Sequence, residues 1–144
     1  MAGRGESEHE TSLLPIAIGS VVFDCADPLA LMTFWQEVTG FQVRSEGPDW
    51  CMLKDPAGIA PKLAFQRVPE AKVVKNRVHL DLFTPDERAH AARIEALGAK
   101  RLWISDDPED PFIVLGDPEG NEFCVVRVRK ESPAPGANQK NGEG

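Results

Sequence analysis

The sequence predicts an α+β fold in which two tandem βαβββ modules form a curved mixed sheet with a concave cup. The chain repeats one order of strand, helix and turn signals: Ser20 to His79 spans 59 residues, Gly40 to Gly98 spans 58, and Asp55 to Asp117 spans 62. Within each half the apolar residues alternate at period 2, change to period 3.6, and return to period 2 three times, which is the signature of strand, helix and three strands.

The elements follow in order. Residues 19–24 read as a first strand that ends at Asp27-Pro28, an N-cap followed by a proline preset for the first helical turn. Leu31, Trp35 and Val38 then share one helical face until Gly40 ends the helix. Phe41 to Ser45, Trp50 to Lys54 and Lys62 to Val68 complete the first half as strands. The second half starts with a strand at Val78 to Phe83. Thr84-Pro85-Asp86-Glu87 reads as a capping box with proline at the first helical position, and Ala91, Ile94 and Leu97 form a stripe closed by Gly98. Lys100 to Ile104, Phe112 to Leu115 and Glu122 to Val128 are its three strands, and Asp55-Pro56-Ala57-Gly58 and Asp117-Pro118-Glu119-Gly120 are turns. Residues 1–12 and 131–144 are too poor in large apolar side chains to order themselves. They are expected to be tails around one domain at 13–130, with modules at about 13–70 and 71–130.

Composition limits the partners. At 144 residues, 42% hydrophobic and 27% charged, the chain fits one cored domain, and a net charge of -7 with a pI near 5.0 lacks the basic footprint for nucleic acid or anionic lipid. No apolar run approaches a membrane span, and the first ten residues are too polar for a secretory signal, so a cytoplasmic location is expected. Cys25, Cys51 and Cys124 are widely spaced without a CxxC pair, which fits reduced thiols.

Strand alternation indicates where chemistry belongs. Val21 and Phe23, like Leu80 and Leu82, should face the helices; Ser20, Val22 and Asp24, like His79, Asp81 and Phe83, should face the cup. An apolar wall with a few polar groups is the usual form of a small-molecule site. His79 is a cup-lining imidazole, a metal ligand or a general base. Asp81, one step along the same face, orients it, joins it on a metal, or pairs with Arg77. Cys124 reads as a small buried hydrophobe or a thiolate, and Gln66 as a hydrogen-bonding amide or a metal ligand. Trp50 and Phe112 occupy matching repeat positions and are rim aromatics or walls for a planar ligand.

The doubled βαβββ plan, His79 seven residues before Asp86, Ala96-Leu97-Gly98-Ala99, and above all Asp117-Pro118-Glu119-Gly120-Asn121-Glu122-Phe123 resemble the vicinal oxygen chelate superfamily. That group includes glyoxalase I, extradiol dioxygenases, methylmalonyl-CoA epimerase, and bleomycin and fosfomycin resistance proteins. Residues 61–70 and 75–82 are similar to its bacterial glyoxalase-like domains. The resemblance implies four metal-ligand positions, which fall on Ser20, His79, Cys124 and either Gln66 or Ala64. Serine is a poor ligand, and cysteine stands where the family has glutamate. It implies a homodimer and a cup that takes a small, partly aromatic or oxygen-rich molecule without metal. The alternative is an enzyme of lyase, epimerase or dioxygenase type that uses one divalent ion (Zn, Ni, Mn, Fe or Co) held by His79 with Gln66 and Cys124. His79 and Asp81 are the expected catalytic residues, with Ser20, Trp50, Gln66, Phe112 and Cys124 as ligand contacts.

Overall fold

The computed structural model describes residues 15–128; the tails expected at 1–12 and 131–144 lie outside the described residues. The chain runs β1 (Ser20–Cys25), α1 (Pro28–Thr39), β2 (Gln42–Ser45), β3 (Trp50–Lys54), β4 (Lys62–Arg67), β5 (Asp81–Thr84), α2 (Glu87–Ala96), β6 (Lys100–Ile104), β7 (Phe112–Gly116) and β8 (Glu122–Arg127). Each module curls its own four-stranded mixed sheet, ordered β1-β4-β3-β2 and β5-β8-β7-β6, with the first and last strands of the module parallel. Among the described residues no helix is long and apolar enough to cross a membrane.

The helices form as the sequence chemistry directs. Asp27 caps α1 by accepting from the Ala30 amide at 3.2 Å, Pro28 starts it, and Gly40 ends it at φ 76°, a left-handed conformation that side-chain-bearing residues avoid. The start of α2 differs from the capping box expected at Thr84. Thr84 is still the last residue of β5, where its hydroxyl accepts from the Asp86 amide. Asp86 is the N-cap, accepting from Ala89 at 3.1 Å. Sheet pairing between Thr84 and Arg127 keeps Thr84 extended, so the helix starts two residues later.

Glu87 is thereby freed from the cap. It is buried at 3% exposure and takes a two-pronged hydrogen bond from the Arg127 guanidinium, at 2.9 and 3.2 Å. The guanidinium holds its carboxyl below the usual carboxylate range. A depressed folded pKa contributes stability above the ordinary glutamate range and loses it as pH falls through the depressed value. Glu87→Gln is therefore expected to be less stable than the parent at pH 7, with the difference closing as both are titrated below about pH 4 in urea-unfolding series.

The core lies between the helices and the inner faces of the sheets. Leu31 and Trp35 of α1, Leu53, Leu63 and Phe65 of the first sheet, and Ile113, Leu115, Phe123 and Val125 of the second are essentially solvent-free. Trp35 links the modules: its ring lies 4.8 Å from Phe123 and 5.4 Å from Phe23, and its indole N–H donates to Asp117 at 3.0 Å. The turn at Asp117 holds both modules. Its Glu119 carboxylate accepts from the Ala26 and Asp27 amides at 2.7 and 2.8 Å, at the positive end of α1. From α2, Arg93 donates to the Glu37 and Val38 carbonyls at the other end of α1.

Candidate functional site

The outer faces of the two sheets, turned away from the helices, carry the polar residues singled out in the sequence. On the second sheet Asp81 and Cys124 are direct partners across the parallel β5–β8 pair, so their side chains rise from adjacent strands on one face. His79 stands just ahead of β5, which starts at Asp81 and not at Val78. The cause is a residue that sequence reading missed. The Asn76 amide donates to the Glu122 carbonyl at 3.2 Å and accepts from the Glu122 amide at 2.7 Å, taking the place of a paired strand. The first step of β8 is thus already satisfied by a side chain, and the segment carrying His79 is held through the Val78 carbonyl, which accepts from Asn76 at 2.8 Å, and the Leu80 carbonyl, which accepts from the Cys124 amide at 2.9 Å. No periodic signal reveals such a contact, because one side chain substitutes for backbone.

His79 Nε2 lies 3.2 Å from Asp81 Oδ1, with both side chains about half exposed. One donor atom from each of His79, Asp81 and Cys124 lies within 4.8 Å of the other two. Burial, and after it the charge of Asp81, raise the half-buried Cys124 thiol above its ordinary range, while Lys75 opposes them. A thiol so placed stays protonated at neutral pH and is no free nucleophile. Cys25 is a packing thiol, pushed up to about 11 chiefly by burial.

These three groups sit in an open groove of about 400 Å³ with Phe112, Val114 and Val126 as its apolar wall. Trp103 packs against Phe112 with ring centres 5.5 Å apart and planes tilted by 47°, and extends the aromatic surface at the rim. A larger cavity of about 780 Å³ opens between the modules, bounded by β1, Trp35, the segment 70–80 and the start of β8; His79 lines both.

The other sequence-derived residues are on the first sheet. Ser20 pairs with Lys62, and Gln66 lies between Asp24 and Trp50. Trp50 occupies on β3 the place that Phe112 occupies on β7, so the two aromatics wall different sheets and do not share this groove. The register also decides between Gln66 and Ala64. Cys124 faces Asp81, whose counterpart in the first module is Val22, and Val22 faces Ala64. Ala64 therefore occupies the position matching Cys124, and Gln66 matches Val126.

A divalent ion fits the donors present in the second module. Zinc-type metal–ligand distances of 2.0–2.3 Å place donors about 3.3–3.8 Å apart, which a small contraction of the trio reaches, and nitrogen, carboxylate and sulfur suit a borderline-soft ion. At the matching positions the first module has Ser20, a poor ligand, and Ala64, which has no donor atom, so such a site would keep open positions.

The comparisons agree with this architecture. A family model described as a glyoxalase-like domain matches residues 20–126. No curated protein matches. Among solved structures, the chain is similar to a glyoxalase/bleomycin resistance protein/dioxygenase family enzyme from Burkholderia phytofirmans PsJN, with TM-score 0.65 and 21% identity over 78% of this chain and 99% of that one. It is also similar to lactoylglutathione lyase from Agrobacterium tumefaciens, at 0.59 and 16% over 84% and 100%. A third likeness is to fosfomycin resistance protein FosX from Mesorhizobium loti, at 0.62 and 13% over 81% and 95%. Identities this low speak for the fold alone. With the family match spanning the two repeated modules that the structure resolves into paired sheets, the chain belongs to the glyoxalase-like domain family of the vicinal oxygen chelate superfamily.

Proposed function

We propose that the protein binds a small, partly aromatic or oxygen-rich molecule on the outer face of the second sheet. The observation that carries this reading is the convergence of His79, Asp81 and Cys124 at the polar end of a groove walled by Phe112, Val114 and Val126. Asp81 fixes the imidazole orientation, His79 hydrogen-bonds a ligand oxygen or takes a proton from it, and the aromatic wall covers the apolar part.

A second reading is favoured by the same three donors: a metal-dependent enzyme of lyase, epimerase or dioxygenase type, with His79, Asp81 and Cys124 holding one of Zn, Ni, Mn, Fe or Co. When bound, the ion would supply Lewis-acid polarisation of ligand oxygens. Elemental analysis of untagged protein, before and after dialysis against these five metals, separates the readings. Near-stoichiometric metal that is absent from His79→Ala supports the enzyme and directs dicarbonyl, epimerisation and dioxygenase assays to it. No retained metal leaves the metal-free cup, to be followed by ligand screening through thermal shift.

The same reading includes a homodimer in the cytoplasm, a compartment that three free thiols suit. Phe83 and Trp103 are 68% and 54% exposed on the outer face of the second sheet, apolar surface that a second copy would cover. Light scattering is expected to give twice the 15.8 kDa chain mass at micromolar concentration; a monomer mass throughout counts against the dimer.

A further inference from the structure

The outer face of the first sheet carries a charge arrangement that neither the fold nor the His79 site requires. Leu53 and Leu63 pair across β3 and β4 and point into the core, so their neighbours Lys54 and Lys62 stand opposite each other on the outer face. Like charges directly opposed across a sheet destabilise it. The row continues with Ser20 beside Lys62 and Gln42 beside Lys54, giving four hydrogen-bonding side chains across four strands. Arg44 joins them from β2, where the register shift between Val43 and Ser45 makes it the extra residue of a bulge, a device that re-aims a side chain.

Arg44, Lys54 and Lys62 line one groove of about 510 Å³, and none of them makes an ion pair among the described residues. Among the described residues Asp55 is the only carboxylate lining it, and it accepts instead from the amides of Ala57, Ile59 and Ala60. In the second module the matching positions are Leu102, Gly116 and Glu122, so the trio is not part of the shared scaffold. The turn differs as well: Lys62 follows Asp55 by seven residues where Glu122 follows Asp117 by five. The longer loop places Ile59, 85% exposed, at the edge of the groove with Ile18, 76% exposed.

We infer that this groove is an oxyanion site, in which Lys54, Lys62 and Arg44 hold the phosphate of a small phosphomonoester and Ile18 and Ile59 touch its apolar part. Three cations lining one groove suit a doubly charged phosphate better than a single carboxylate, and a bound phosphate turns the opposed lysines from a repulsive pair into two charge-assisted contacts. The site lies on the other sheet from His79 and stands independently of the function proposed above.

The test uses the full chain with inorganic phosphate and phenyl phosphate as probes, at ionic strength fixed by sodium chloride. Phosphate is expected to raise the thermal midpoint and to perturb the amide resonances of Lys54, Gly58, Ile59, Ala60 and Lys62. Phenyl phosphate should bind more tightly. Lys54→Gln/Lys62→Gln is expected to lose at least about tenfold in affinity. Lys62→Glu, which puts the residue of the second module at this position, should raise the midpoint in chloride and abolish the phosphate response. Chloride acting as well as phosphate, a double variant that binds phosphate like the parent, a Lys62→Glu protein that still responds, or perturbations confined to the His79 sheet would each overturn the assignment. Equal affinity for the two probes would overturn the part given to Ile18 and Ile59.

Discussion

Asp117→Ala is expected to lower the unfolding free energy by about 3–5 kcal/mol, close to the largest effect a single polar substitution has in a domain of this size. The carboxylate is buried at 4% exposure and accepts four distinct donors: the Trp35 indole at 3.0 Å, the Glu119 amide and the Asn121 amide at 2.9 Å each, and the Asn121 side-chain amide at 2.9 Å. Alanine leaves all of them unpaired, and those away from water carry their desolvation cost in full. The loss acts twice. The turn that brings Gly120 to φ 90° loses its anchor, and the indole that joins α1 to the second module loses its partner. Urea denaturation of the variant measures the total. Trp35→Phe, which removes one donor and part of one ring while leaving the turn intact, should cost less than Asp117→Ala. If Asp117→Ala costs under 1 kcal/mol, the turn does not hold the modules together in the way described.

His79→Ala is expected to do the opposite, removing binding while leaving the fold nearly untouched. The ring is about half exposed, lies outside the core cluster, and has the equally exposed Asp81 carboxylate beside it, so the stability change should stay within ~1 kcal/mol. The metal or ligand affinity, in contrast, should fall by at least about a hundredfold, the upper range seen even for groups that only support a ligating residue. Isothermal titration and urea unfolding on the same preparation read the two quantities together. Asp81→Asn keeps the shape and removes the charge, and an intermediate affinity is expected because an amide still orients the imidazole. A large stability loss in His79→Ala with unchanged binding would make the histidine a structural residue.

Much of this architecture was legible in the sequence. Cap and stop residues such as Asp27 and Gly40 act within a few positions of themselves, and a two-residue alternation such as Val21 and Phe23 reports a buried face without knowledge of what covers it. The grouping of His79 with Asp81 followed from the same alternation. The start of α2 was less legible, because Thr84 satisfies the local pattern of a cap while sheet pairing to Arg127 holds it extended.

What the sequence by itself determined is the doubled βαβββ order, the caps of α1, and the sides of the strands on which polar residues stand, since each depends on interactions between residues near in the chain. The tertiary structure alone decided that Asn76 replaces a strand partner of Glu122, that Cys124 comes to Asp81, that Ala64 and not Gln66 matches it, and that Lys54 is set against Lys62. Those depend on how residues 8 to 46 positions apart in the chain are brought side by side. Register is fixed by the packing of whole sheets against α1 and α2, and a shift of one residue would send every one of these side chains to the other face.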